Sequence, residues 1–515
     1  MKRLQKFDMA MDRHRLLFEV YLGALIIGCG QGTLRETNSN DAGSGDTATT
    51  HRDTGSDGDA DGDADTDNGS EVETARDAAV DDTETDSTSD TASDEISDGT
   101  CRYECVARCH FLGGTFKAGT CKDDGLWCCD LGSAGGGETD TIEADSDSET
   151  ETQGTAQDGP CRPAPKTYRN LFTELLSVTE AEVDAKLEAA FQQLFHGNGN
   201  QSVYYESGAD EAYIVDIKHN DVRSEGMSYG MIIAVQMDKQ EEFNRLWKWS
   251  TSHMQQWSGY FAWQASTSGW VMDSNSAPDG EEYFATALVF AANRWGDGDG
   301  IYAYSSQALS LLKAMANNGM FDWNNKMVKF LVNKNYTDPS YILPAFYEVW
   351  ACYDLDNQAR WRSAADAARA FFPKAVNSNT GLAPDQCGFD GNANGSNFTY
   401  DAWRVVVNIM MDYHFYHVDS RQVTYAKTLG KFFAGQGEHY SDTYTLDGRA
   451  MGSEHRLGLI SCNATLGFAL PEADAVPFVR ELWEAEIESG QDRYYQGMLQ
   501  LLALLHVSGR FKLWY

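Results

Sequence analysis

Basic side chains are scarce. The 515 residues hold 40 Lys and Arg against 78 Asp and Glu, a formal net charge of -38. That balance excludes nucleic acid as a partner, because phosphate contacts need clustered cations. Long apolar runs are lacking as well. The N-terminal one, ending Leu25-Ile26-Ile27-Gly28-Cys29, is too short to cross a bilayer core of about 30 Å as a helix. No G-x-S-x-G elbow, H-E-x-x-H, P-loop or dinucleotide fingerprint is present, so those chemistries are set aside and neither metal nor cofactor is required. Regular alternation of apolar and polar residues is almost missing, which argues against a β-rich core. No fixed period of the length used by helical-repeat solenoids is visible either.

The acidity that is present is unevenly spread. Residues 30–100 carry 21 acidic and 3 basic side chains, and residues 131–160 carry 8 and 0, so -26 of the -38 falls in two stretches. Both are built from Asp, Glu, Thr, Ser, Gly and Ala, a composition that cannot bury enough apolar surface to order itself. They read as disordered acidic linkers. The alternating acids Asp57, Asp59, Asp61, Asp63, Asp65 and Asp67 suggest a calcium loop, but the bidentate Glu and flanking helices of an EF-hand are missing.

Residues 1–29 join a basic start (Lys2, Arg3, Lys6) to a short apolar segment, the pattern of an export signal. Gly28 before Cys29 resembles a bacterial lipoprotein cleavage box. The expectation is therefore a protein outside the cell or on its surface, touching the membrane only through a lipid anchor at Cys29, with plain secretion as the alternative. Cysteine usage agrees with export. Cys101, Cys105, Cys109, Cys121, Cys128 and Cys129 crowd into residues 101–130, which read as a small disulfide-rich module with its pairing open. A zinc site fits that spacing poorly. Phe111, Phe116 and Trp127 make polysaccharide binding one role for the module, a purely structural knot another.

From 161 to 515 the chain turns aromatic and helical in pattern. Thr179-x-x-Glu182 forms a capping box ahead of Val183, Leu187, Ala190, Phe191 and Leu194 on one face. Further amphipathic runs fall near 225–238, 239–256, 281–294, 305–317, 340–353, 358–372, 401–417, 422–435, 456–470, 474–488 and 492–507. About twelve helices in this length predict an all-α fold, six helical hairpins closed into an (α/α)6 barrel.

Three helix starts place an acid beside Gly, Tyr or Trp: Glu225 in Ser224–Gly230, Asp279 in Ala277–Tyr283, and Asp401 in Asn397–Arg404. A carboxylate there can be a plain cap favoured by the helix dipole. Three such starts with aromatics point instead to sugar chemistry. Glycosidic cleavage needs one carboxyl group to protonate the leaving oxygen and a second on the other face. Pyranose rings pack on Trp and Tyr.

At these loops the sequence resembles glycoside hydrolase family 8, through Ser224-Glu225-Gly226-Met227-Ser228-Tyr229-Gly230 and the runs 168–172, 278–284, 293–298 and 338–341. Within it the chain is most similar to the reducing-end xylose-releasing exo-oligoxylanases. The resemblance implies an inverting hydrolase of β-1,4-xylo-oligosaccharides on an (α/α)6 barrel. It implies Glu225 as general acid, Asp401 as general base, Asp279 as a sugar-binding residue that tunes Glu225, and Tyr341 as the residue positioning water, with Tyr347 as its rival. Trp263 would stack on sugar and Arg404 would orient Asp401; a core side chain and a plain ion pair are the bland alternatives. His455, in Ser453–Leu459, would recognise the terminal xylose and block the cleft, although Arg456 follows where the family often has Pro. The alternatives are an endo-acting member on xylan, β-glucan or chitosan, and a non-catalytic polysaccharide-binding surface protein.

Overall fold

The computed structural model describes residues 161–515 and, upstream, only the backbone of three short strands: β1 (Cys105–Val106), β2 (Thr115–Lys117) and β3 (Trp127–Asp130). These pair antiparallel in the order β1-β3-β2, with Cys105 opposite Cys128 and Phe116 opposite Cys129. The expected export signal and anchor at Cys29, the linkers 30–100 and 131–160, and the side-chain chemistry of the 101–130 module lie outside the described residues.

Twelve helices follow the short helix Leu171–Leu176: α1 (Glu180–His196), α2 (Ser224–Gln236), α3 (Gln240–His253), α4 (Pro278–Trp295), α5 (Tyr304–Asn317), α6 (Pro344–Tyr353), α7 (Gln358–Ala375), α8 (Arg404–Tyr416), α9 (Arg421–Ala434), α10 (Leu457–Ala464), α11 (Glu472–Glu484) and α12 (Tyr495–Val507). Local chemistry starts several of them. The Thr179 hydroxyl accepts from the Glu182 N–H at 3.3 Å while the Glu182 carboxylate accepts from the Thr179 N–H at 2.8 Å, the full capping box. Pro278 and Pro344 occupy first-turn positions, where their missing N–H costs nothing.

The packing sorts these helices into two layers. Each even-numbered helix touches the next, α2–α4–α6–α8–α10–α12, and α12 returns to α2, so six helices close a ring. The odd-numbered helices lie outside, α3 on α2, α5 on α4, α7 on α6, α9 on α8, α11 on α10 and α1 on α12. Burial follows the layers. Nearly every residue of α2, α4 and α12 is buried, including the acids Asp279, Glu281 and Glu282 in the first turns of α4. Outer α1 buries one face, Val183, Leu187, Ala190, Phe191 and Leu194 among it. No helix among the described residues is long and apolar enough to cross a membrane.

The structure departs from the all-helical expectation in its loops. Strands β4 (Tyr204–Ser207) and β5 (Glu211–Ile214) form a hairpin, and β6 (Asp221–Arg223), β7 (Gln264–Ser266) and β8 (Val271–Asp273) an antiparallel sheet. Pieces of three or four residues are too short to show a period of two in the sequence. The second sheet has a purpose in the fold. It runs straight into α2 and pairs the Ser224 N–H with the Trp263 carbonyl at 3.0 Å, tying the Trp263 backbone to the start of α2.

Candidate active site

The N-terminal ends of the inner helices converge on one guanidinium. Arg404, at the start of α8 and buried, donates from Nη1 to Glu225 Oε2 at 2.8 Å, to Asp279 Oδ2 at 2.7 Å and to the Tyr229 hydroxyl at 3.0 Å. Its Nη2 donates to Asp401 Oδ1 at 3.1 Å and to Ser340 Oγ at 2.9 Å. Glu225 and Asp279 each sit in the first turn of their helix, α2 and α4, while Asp401 precedes α8 on a short 3-10 turn. The fork geometry of arginine lets one side chain satisfy three carboxylates at once.

The three acids differ in environment. Asp279 is buried and also accepts from the Gly280 N–H at 2.9 Å. Burial raises its pKa and Arg404 opposes the shift. Glu225 receives the Tyr494 hydroxyl on Oε1 at 3.0 Å. Burial, with Asp279 and Asp401 nearby, pushes its pKa up to about 7 against the pull of Arg404. Asp401 remains 46 % exposed. A carboxyl group that keeps its proton to neutral pH can act as an acid, and an accessible carboxylate held by an arginine can act as a base.

Tyr341 lies against this cluster. Its ring centre is 5.7 Å from the Arg404 guanidinium, it stacks on Phe330 at 5.9 Å, and its pKa is raised by burial and then by Asp279, Asp338 and Asp401. Tyr347 is turned elsewhere, its hydroxyl donating to Glu282 Oε1 at 2.9 Å in the core. Trp263 is half-buried, with the Arg223 guanidinium 5.5 Å above its ring. Arg223 in turn is held by Asp216 and Asp221, both at 3.1 Å.

His455 is not drawn in. Its Nδ1 lies 2.9 Å from the Tyr440 carbonyl and its Nε2 2.6 Å from Glu481 Oε1 on α11. The Glu481 carboxylate raises its pKa. Among the described residues, no hydrogen bond or ion pair links His455 to Glu225, Asp279 or Asp401. Arg456 instead bonds Asp442 at 2.8 Å and Asp492 at 3.2 Å.

Several members of the site escaped the sequence reading. Tyr229 and Ser340 lie inside motif runs already singled out. Tyr494 carries no local signal. Asp385 has none either, yet its carboxylate accepts N–H bonds from Thr399 at 3.2 Å and Ala402 at 3.1 Å, bracing the turn that bears Asp401. Burial and Asp401 raise its pKa to about 7. Buried Asp338 accepts from the Ser340 N–H at 2.7 Å through Oδ1, while Oδ2 has no partner. Among the described residues no group of three or more His, Cys, Asp or Glu is placed to hold a metal ion.

A sequence model described as glycosyl hydrolases family 8 matches residues 214–509. The chain belongs to glycosyl hydrolase family 8. It is therefore a glycoside hydrolase, and the carboxyl cluster is the chemistry such an enzyme needs. The reducing-end xylose-releasing exo-oligoxylanase Rex8A of Paenibacillus barcinonensis is 37% identical over 369 residues, 68% of this chain and 97% of that protein. Its structure complexed with xylose matches at a TM-score of 0.65, covering 68% of this chain and 98% of that one. A family 8 xylobiose complex from Teredinibacter turnerae is 41% identical with a TM-score of 0.66, covering 67% and 98%.

Proposed function

We propose that this chain is an inverting hydrolase that releases xylose from the reducing end of β-1,4-xylo-oligosaccharides. The observation that carries the chemistry is the clamp of Arg404. One arm holds a half-buried Glu225, protonated up to about pH 7, and the other an accessible Asp401. In this reading Glu225 gives its proton to the glycosidic oxygen. Asp401 takes a proton from water on the opposite face of the sugar, with Tyr341 positioning that water. Asp279 binds the distorted sugar and helps keep Glu225 protonated. Trp263 stacks on a pyranose face. The substrate follows the similarity to Rex8A along nearly its whole length.

Chromatography of xylotriose digests tests the substrate and the direction of attack. Xylose and xylobiose released from the reducing end, with the newly formed anomer inverted by NMR, are expected. Products of random internal cuts in xylan would sink the exo claim. A second reading, internal cleavage of xylan, is favoured by His455, whose two ring nitrogens already bind Tyr440 and Glu481. The remaining architecture completes the proposal: the ring is an (α/α)6 barrel, preceded by a disulfide-rich module and disordered acidic linkers, and tethered outside the cell through a lipid on Cys29. The module adds polysaccharide binding. Transfer of the label to Cys29 during metabolic labelling with a fatty acid, and its loss in Cys29→Ser, would test the anchor.

A further inference from the structure

Two cysteines far apart in sequence meet behind the ring. Cys161 is exposed where the described domain begins, and Cys352 is half-buried on α6. Their thiols hydrogen-bond to each other. The neighbouring contacts hold both backbones in register. Arg162, the next residue, donates from Nε to Glu348 Oε1 at 2.7 Å. Glu348 lies one helical turn before Cys352, on the same face of α6. The Arg162 carbonyl accepts from the hydroxyl of Tyr515 at 2.7 Å, and that hydroxyl lies 3.5 Å from the Tyr416 hydroxyl on α8. The first and last residues of the domain are thus seated on two inner helices around the thiol pair.

We propose that Cys161 and Cys352 form a disulfide that fastens the start of the helical domain to α6. Cys161 is the better nucleophile, because the Cys352 hydrogen bond lowers its pKa and it is open to solvent. Its thiolate attacks an external disulfide, either a thiol–disulfide oxidoreductase or a low-molecular-weight disulfide. The S–S bond of the donor breaks, one donor thiolate leaves, and a mixed disulfide forms at Cys161. Cys352 then gives up its proton and attacks Cys161 Sγ, expelling the second donor thiolate. Two cysteines are oxidised, one donor disulfide is reduced to two thiols, and the two protons lost by the cysteines balance the two donor thiolates. The closed loop runs from 161 to 352 and contains α1 to α5, so the cross-link restrains a large part of the unfolded chain.

The full chain, incubated with oxidised glutathione, alkylated without reduction and digested, decides the matter by mass spectrometry. A cross-linked pair of peptides bearing Cys161 and Cys352, two hydrogens lighter than its parts and separated by reduction, is expected. Cys161→Ser and Cys352→Ser should each lower the thermal midpoint of the oxidised protein by at least about 5 °C. The double variant should fall no further than either single one, with hydrolysis at 25 °C unchanged in all three. Both thiols alkylated without prior reduction, or Cys161 joined to a cysteine of 101–129, would overturn the proposal, as would additive losses in the double variant. Should the variants fail to fold, the peptide map of the unsubstituted chain still gives the answer.

Discussion

Glu225 keeps its proton because burial and the charges of Asp279 and Asp401 outweigh the pull of Arg404. A general acid works only while protonated, so activity should fall as pH rises through about 7. Asp279→Asn removes one of the negative neighbours and leaves more of the Arg404 charge to Glu225. Both changes stabilise the Glu225 carboxylate, and the alkaline limb of kcat/KM should move to lower pH. A pH profile in which that limb stays in place would separate Asp279 from the tuning of the acid. Glu225→Ala should lower kcat by about 10²–10⁴-fold, read by xylotriose hydrolysis at saturating substrate. Its partner Arg404 has both arms committed, so no single-point cation matches it. Of these residues, Glu225, Asp279 and Asp401 are legible in sequence as acids beside Gly or aromatic residues at helix starts. Tyr494 is not, because it reaches Glu225 across 269 residues of chain.

At the scale of the element, close approach between inner helices sets the positions of those acids. Gly226 follows Glu225 on α2, and a Cβ there would stand 2.6 Å from the ring of Tyr494 and 2.9 Å from its hydroxyl. Tyr494 just precedes α12 and holds Glu225, so the smallness of Gly226 and the placement of the acid are one requirement. Gly226→Ala should push the tyrosine aside. The expected results are a loss of about 10–100-fold in kcat and of about 1–3 kcal/mol in stability by urea unfolding. A variant with unchanged kcat would show that the Tyr494–Glu225 bond does not position the acid. The helices themselves are the most legible level of the fold. Periodicity, the Thr179 capping box and the first-turn prolines act over a few residues each. The loop strands are not legible, since β6, β7 and β8 are ordered by pairing with one another rather than by their own pattern.

Across the whole molecule, the ring is tied together by buried charge as well as by apolar packing. Arg369 on α7 is almost fully buried and donates to Asp412 on α8 at 2.8 and 2.7 Å and to Glu348 on α6 at 2.7 Å. Gln422 on α9 adds a bond to Asp412 at 2.7 Å. Arg369→Ala leaves the buried Asp412 without its cation, while Glu348 keeps Arg162, and should cost about 3–5 kcal/mol, seen as a lower urea midpoint with the slope unchanged. A loss under about 1 kcal/mol, the range of exposed pairs, would mean that water replaces the guanidinium. The net charge of -38 belongs to another part of the chain, since -26 of it falls in 30–100 and 131–160. It does not describe the site.

By itself the sequence determined the helical character of 161–515, the approximate bounds of its helices and the three acids at helix starts. Each of these rests on interactions within a turn or two of chain. Only the tertiary structure decided that one arginine would hold all three acids, that Glu225 would titrate near neutrality, and that His455 would bind Glu481 rather than join them. Desolvation and Coulomb energy depend on distance in space. Those distances exist only once the ring closes and brings Arg404 within 2.8 Å of a carboxylate 179 residues away.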